Sequence, residues 1–452
     1  MAGANILKTK IIEDPSRNEF SQWIEWHRNQ CARYKKLDRY YKGEHDINNR
    51  QIRISGNANN KTMINWCSFI TNTLSGYFLS LPIDYKTEEQ RVLEYVKSIN
   101  RANVSDDEDY ELSKMASIFG HAFEILYYSK DSNIKFNKCS PLNTFLLYDI
   151  NELEEVPKAG IRYKTNNDPI TGKQVIIVQY YTEKYVTTYK LNDKYDVLEK
   201  SEKELHYYNT LPIVEYLNNE ERIGDFEEII TLQDAYNVIT ADRTNNIENV
   251  VNSLLVIINY MPPETNEKMQ NLIKELKDNG LIFIDKEGDI KYISNPIDGT
   301  TVENLRKDIK EDILEISACP DMSDEKFSGN TSGIAMKYKL WSTEQKVGAK
   351  EKKFRKGIYN RLRLISDSPK TDKFNWEDID LVFTRNIPVN HVEKLESASK
   401  IYGTVSEQTY LEYIGPSIGI EDIRMEIERI NEEKEKQVEQ YFPKEEEEQK
   451  VE

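Results

Sequence analysis

The chain lacks the short motifs that mark common enzyme classes. Its 452 residues contain no GxxxxGK[ST] loop, which excludes a P-loop motor. HExxH, GxSxG and GxGxxG are absent too, so no zinc protease, serine hydrolase or dinucleotide site is indicated. Cysteine is scarce. Cys31, Cys67, Cys139 and Cys319 lie far apart, and none forms a CxxC pair. Neither a zinc site nor a disulfide framework is expected, and the four read as buried thiols in a reducing compartment. The five histidines, His27, His45, His121, His206 and His391, are isolated. Long hydrophobic runs are missing. The most apolar stretch, Val250 to Tyr260, is broken by Asn252, Ser253 and Asn259, well short of the ~20 residues a membrane span needs. The start, MAGANILKTKIIED, has no apolar core before Glu13, so no secretory leader is expected. Carboxylates are so abundant that no pair stands out as catalytic. The expectation is a protein with no catalytic residue, no metal and no cofactor.

What is present is charge and tyrosine. There are 61 Lys+Arg against 78 Asp+Glu, a net charge of −17. Hydrophobic residues make up 38% and charged residues 31%, enough for real cores beneath a wet surface. The 28 Tyr against 14 Phe leave much aromatic surface with a hydroxyl for interfaces. The length suggests about three structural units.

The N-terminal half reads as α+β. Apolar residues from Ser16 to Tyr41 recur at three- and four-residue spacing, which predicts a helix. Further helices are expected at 61–79, 88–99 and 106–118. From His121 to Tyr208 the period changes to two, which predicts an antiparallel meander. Asp225 to Asn252 reads as one helix of roughly 42 Å. Its middle, Asp242, Arg243, Thr244, Asn245 and Asn246, is polar all round. That suits a helix packed between neighbours or lining a wet passage. A small module follows, with SLLVIINY as a strand, a short helix from Glu264, and LIFID and IKYIS as a hairpin. Thr300-Thr301-Val302-Glu303 reads as a capping box with Thr300 as N-cap, opening a helix to about Ala318. Ile334 to Ile365 reads as a long basic helix. Lys337 to Arg363 holds ten basic residues against Glu344 and Glu351. Its cations are expected on a solvated face, against acids of a neighbouring subunit, or against DNA, with the neighbour preferred to phosphates. A strand, two helices and the acidic end KEEEEQKVE complete the chain.

Two stretches resemble one family. They are YYKGEH with NNKTMINWCSFITNTLSGYFLSLPIDY, Tyr40 to Tyr85, and PDMSDEKFSGNTSGIAMKYKLWSTEQK, Pro320 to Lys346. Together they resemble the portal proteins of tailed bacteriophages, in the Gp6-like (SPP1-type) branch. The resemblance implies a ring of about twelve subunits at one capsid vertex. DNA would enter through it during packaging and leave at infection. It implies a wing at 1–223, a stem helix at 224–252, a clip at 253–300, a second stem helix at 301–319 and a tunnel loop at 320–333. A basic helix and wing strand at 334–390, a crown at 391–440 and an acidic disordered tail at 441–452 would follow. The implied partners are the chain itself, double-stranded DNA, the terminase large subunit, a head–tail adaptor, and the major capsid and scaffolding proteins, with no membrane. The implied location is the virion, and the host cytoplasm during assembly. A scaffold or ring protein other than a portal is the alternative.

The resemblance also nominates residues. Leu254, Val256, Ile258, Ile282, Ile284 and Tyr292 would carry the clip's contacts. Asp242, Arg243, Asn245, Asn246, Lys307 and Lys310 belong to the stem. In the tunnel loop, Asp321, Asp324 and Glu325 would repel phosphates and Lys326 attract them. Ser323, Ser328, Asn330, Thr331 and Ser332 would offer exchangeable hydrogen bonds beside Phe327. The loop is not expected to bind a nucleotide, because no lysine is in Walker register.

Overall fold

A computed structural model describes residues 5–51, 58–167, 172–251, 254–258, 265–267, 270, 289–293, 299–321, 338–369, 371, 373–385, 396, 398–420 and 423–441. The chain divides into two compact units. One comprises Met1–Asp321 with Ser342–Asn386, the other Met322–Trp341 with Ile387–Glu452.

The first unit opens with a short strand, β1 (Leu7–Thr9), and the helix α1 (Arg17–Tyr41). Ser16 caps α1, and Glu19 reaches back to the Ser16 N–H at 2.8 Å, so two otherwise unpaired donors are satisfied reciprocally. The buried stripe Phe20, Trp23, Ile24, His27, Cys31, Tyr34, Leu37 and Tyr40 follows the helical period. At about 37 Å, α1 is long enough to serve two cores. Phe20, Trp23 and Ile24 pack under a large sheet with Tyr180 and Tyr189. Tyr34, Leu37 and Tyr40 join a helical core. That core also takes α2 (Trp66–Leu79), α3 (Gln90–Asn103) and α4 (Ser105–Phe119). The second helix begins at Trp66, not at residue 61, because Asn65 caps it by accepting from the Ser68 N–H at 3.0 Å.

The expected single meander is two sheets. β3 (His121–Tyr128) and β4 (Ile134–Cys139) pair with β11 (Ile213–Leu217) in one. β5 (Thr144–Asp149), β6 (Pro157–Asn167), β7 (Gln174–Tyr181), β8 (Tyr185–Asn192), β9 (Val197–Lys200) and β10 (Glu204–Leu205) form the other, with β1 parallel on β5. The ladder breaks between β4 and β5 at Ser140-Pro141, where proline lacks the donor that would continue it. β2 (Asp84–Lys86) pairs later with a distant strand.

After β11 the chain doubles back against α4. A Cβ on Gly120, whose φ is +89°, would stand 2.0 Å from the Arg222 carbonyl oxygen, and one on Gly224 would stand 2.5 Å from the Ile118 oxygen. Only glycine permits this crossing. A single 3₁₀ turn, Glu227–Ile229, then leads into α5 (Ile230–Val251). β12 (Leu254–Ile258) pairs antiparallel with β13 (Asp289–Ile293). α6 (Gly299–Ser317) starts one residue before Thr300, so Thr300 lies inside the first turn and is not the N-cap. α7 (Trp341–Ser366) and β14 (Asp380–Val382), paired with β2, complete the unit. In the second unit, α8 (Glu407–Ile418) is capped by Ser406, and α9 (Ile423–Tyr441) returns to place Lys434 2.9 Å from Glu407. The acidic tail lies outside the described residues.

Candidate functional site: the α5–α6 pair and the seat of α7

The polar centre of α5 has a local cause. The irregular segment 58–65 runs along one side of the helix, and its peptide groups need partners. Side chains of α5 supply them. Asn60 N donates to Asn245 Oδ1 at 2.6 Å, Ile64 N to Asn237 Oδ1 at 3.2 Å, and Trp66 N to Gln233 Oε1 at 2.9 Å. Gln233 Nε2 returns a bond to the Ile64 carbonyl at 2.8 Å. Residues 233, 237 and 245 recur at multiples of four, so one face of α5 replaces the neighbouring strand that this segment lacks. Asp242 pairs with Arg50 at 2.5 Å. On another face Arg243 meets Glu303 of α6 at 2.6 Å, and Arg306 donates to the Tyr236 hydroxyl at 2.7 Å. Asn245 is buried against the segment 58–65, whereas Asp242 and Arg243 pair within the chain but keep 45% and 51% of their side chains exposed. Asn246 is half-buried.

On α6 the nominated residues separate. Lys307 is exposed, while Lys310 reaches Asp321 at 3.3 Å. The Asp321 charge is therefore matched by a cation at the foot of α6. The other tunnel-loop nominees, Ser323, Asp324, Glu325, Lys326, Phe327, Ser328, Asn330, Thr331 and Ser332, lie outside the described residues. So do Ile282 and Ile284. In the β12–β13 ladder, Leu254, Val256 and Ile258 stand opposite Ile293, Lys291 and Asp289, and Tyr292 stands opposite Leu255.

The outer face of α6 carries Asp308, Glu311, Asp312 and Glu315, all exposed. Leu305 and Ile316, each 49% exposed, lie about 20° apart around the axis. Its inner face, Ile313, Leu314 and Ser317, is buried.

The basic helix α7 is not mainly a solvated face. Five of its cations meet acids of the same unit. Lys350, 4% exposed at its side chain, reaches Asp225 at 3.0 Å. Lys346 caps the end of α6, donating to the Ser317 carbonyl at 3.0 Å, with Thr343 donating to the Ala318 carbonyl at 2.7 Å. Lys353 pairs with Glu220 and Arg355 with Glu351. Arg361 is enclosed by Asp109 at 2.6 Å and Glu124 at 2.7 Å. The expectation that these cations face a neighbour or solvent fails for Lys350 and Arg361, because local charge density does not reveal which charges have an internal partner.

Sequence reasoning missed the acids at this seat. Asp225 also accepts from Ser117 Oγ at 2.5 Å and Asn218 Nδ2 at 2.9 Å. Burial opposes its ionisation, but Lys350 and Lys346 with those hydrogen bonds outweigh it and hold the carboxyl well below the usual range. Glu124 had a visible signal: it is the only charge inside the strand HAFEILYY. Asp109 had none.

A related carboxylate gives a pH test. Glu215 accepts from Arg222 Nε and Nη2, both at 2.9 Å, and from His121 at 2.6 Å. Burial works against the charge, yet these partners bring the carboxyl down to about 2 from 4.5. Burial also lowers the His121 imidazole, so Arg222 is the cation that matters near neutral pH. A depressed carboxylate stabilises the fold above its unfolded value and loses that contribution as pH falls. Glu215→Gln should remove roughly 3 kcal/mol near neutral pH. Urea unfolding across pH should show the gap to the parent closing between pH 4.5 and 2. A constant gap would assign the effect to shape, not charge.

No helix among the described residues is long and apolar enough to cross a membrane, and no cluster of His, Cys, Asp and Glu among them could hold a metal ion. The known proteins this chain resembles are consistent with one another. The chain is 24% identical over 404 residues to the portal protein of Clostridium phage phiCD119, covering 83% of this chain and 87% of that one. It is 21% identical over 458 residues to the portal protein of Bacillus phage SPP1, covering 95% and 88%. A family model described as phage portal protein, SPP1 Gp6-like, matches residues 21–440. With so much of its length inside that match, the chain belongs to the SPP1 Gp6-like family of phage portal proteins.

Proposed function

We propose that this protein is the subunit of a closed ring of about twelve copies at one capsid vertex, through which double-stranded DNA is packaged and ejected. It acts as a structural part of the virion. The terminase large subunit and then a head–tail adaptor dock on the module between α5 and α6. The major capsid and scaffolding proteins meet the outer parts of the ring. α5 and α6 are its stem, residues 253–300 its clip, 320–333 its tunnel loop and 391–440 its crown.

The observation that carries the reading, beside the family match, is the outer face of α6. Leu305 and Ile316 leave apolar surface on a helix whose other side is already packed. A neighbouring copy would cover it. The carboxylates Asp308, Glu311 and Glu315 lie beside that line. Facing a channel, they would repel phosphates and let DNA slide, whereas a basic lining would hold it by counterion release.

Native mass spectrometry with electron microscopy of the purified protein tests the proposal. Closed rings with a central hole are expected. Fibres, or a monomer that persists at high concentration, would refute it.

A further inference from the structure

α7 has a second face that the internal ion pairs leave untouched. Lys352, Lys356 and Arg363 are all exposed, and none makes a hydrogen bond or ion pair within the described residues. At 100° per residue, positions 352, 356 and 363 fall within about 40° of one another around the helix axis. They span about 16 Å along it. The stripe is one-signed because the two acids of the helix are engaged elsewhere, Glu344 with Arg385 and Glu351 with Arg355 and Arg385. One acid feels it from the flank. Glu220 is held below its ordinary value first by Lys353 and also by Lys356. Counting Lys352, Lys353, Lys356 and Arg363 against Glu220 and Asp367, the exposed acid one turn beyond Arg363, the local balance is 4 − 2 = +2 on a chain of net charge −17.

Resting on the reading of this protein as a DNA conduit, we propose that this face of α7 is a sequence-independent contact for the phosphate backbone of double-stranded DNA, made by Lys352, Lys356 and Arg363. Three features favour DNA over an acidic protein surface. The cations stand in a single file on a straight rod, which suits a linear polyanion. Tyr359 falls in the same file, but it packs against the helical core and lies 5.9 Å from the Trp376 ring, so no exposed large apolar side chain stands between the cations to make the core of a protein–protein patch. Two of the three are lysines, which hold phosphates as point charges and demand no fixed geometry. Such a contact orients DNA without reading its bases. It is weak enough to be exchanged as the duplex moves. Three phosphates neutralised imply a salt slope of about −2.7 in log K against log salt, or roughly 40-fold weaker binding between 50 and 200 mM salt.

The test uses the purified full-length protein and a short fluorescent duplex, with anisotropy read across that salt range. The variant is Lys352→Gln, Lys356→Gln and Arg363→Gln together. Its slope should be shallower than the parent's by about 2.7, with unchanged melting because the three side chains are exposed. A second variant, Lys352→Arg with Lys356→Arg, should keep the parental slope. If the triple variant keeps the parental affinity and slope, the proposal is overturned. If it keeps its melting temperature but loses its rings, the stripe is a subunit interface, and the proposal is overturned in favour of a second copy of this chain. If the parent forms no ring yet the triple variant loses salt-sensitive DNA binding, this contact stands and the conduit reading falls.

Discussion

Asp225→Ala should destabilise the first unit by about 3–5 kcal/mol, the cost of removing one partner from a buried ion pair. The carboxyl sits where the chain turns from β11 into α5, and three elements converge on it. α4 contributes Ser117, the end of β11 contributes Asn218, and α7 contributes Lys350 and Lys346. The Asp225 N–H also donates to the Ser117 carbonyl at 2.7 Å. Alanine would leave the Lys350 ammonium buried without its counter-charge, and burial alone already pushes that ammonium down. The single variant should therefore unfold at much lower urea, whereas Asp225→Asn combined with Lys350→Met should recover most of the loss. The recovery matters more than the loss. It would show that the penalty comes from an orphaned charge, and a double-mutant cycle reads that coupling directly. The same site links fold to function, because it fixes the root of α5 against α7. In the paired variant, ring yield should fall even where stability returns, since methionine cannot tie α7 to residue 225 as the Lys350 ammonium does. If the double variant loses the sum of what Asp225→Asn and Lys350→Met lose separately, Asp225 and Lys350 are not coupled and the seat of α7 is held by packing alone.

How far the sequence carries can be seen along α7 and α5. The helical period of α1, its Ser16 cap and the paired helices α3 and α4 are readable because each depends on neighbours within a few residues. The polar middle of α5 is readable as an anomaly. Its cause is not, because the segment 58–65 that needs those amides lies some 180 residues earlier in the chain. The basic run of α7 misleads for the same reason. Lys350 and Arg361 look like surface charges until Asp225, Asp109 and Glu124 arrive from elsewhere in the chain. The split of the meander into two sheets depends on β11 choosing β3 as its partner, a pairing across about 90 residues that no local alternation encodes. Of the nominated residues, Lys310 and Asp321 meet as an ion pair, a contact across eleven positions that neither segment reveals by itself.

The second large effect is expected at Arg361, the largest buried charge in the first unit. Its Nη2 reaches Asp109 at 2.6 Å and Glu124 at 2.7 Å, while Nε meets the second Glu124 oxygen at 2.8 Å. The Tyr216 hydroxyl donates to the same carboxylate at 2.9 Å, and the guanidinium carbon lies 4.4 Å from the centre of the Phe136 ring. One turn earlier, a Cβ on Gly357 would stand 2.5 Å from the Tyr216 ring, so α7 is seated directly on β11. Burial raises the Asp109 and Glu124 carboxyls even with Arg361 beside them, because two acids share one cation. Arg361→Ala strands both, and a loss at or above the usual 3–5 kcal/mol is expected near neutral pH. The pH dependence then has a definite sign. A carboxyl whose folded pKa lies above its unfolded value binds protons more tightly in the native state, so stability rises as pH falls through that value. The deficit of Arg361→Ala should accordingly shrink as the buffer is taken from about pH 7 toward pH 5. Arg361→Lys should not rescue, since one ammonium cannot bridge two carboxylates as the planar fork does. Arg361→Met with Asp109→Asn and Glu124→Gln should rescue most of it, because no buried charge remains. Urea unfolding of these three variants and the parent at two pH values checks the account. A deficit that stays constant on acidification, or that persists in the neutral triple variant, would mean that Arg361 serves chiefly through the packing of its stem against Phe136.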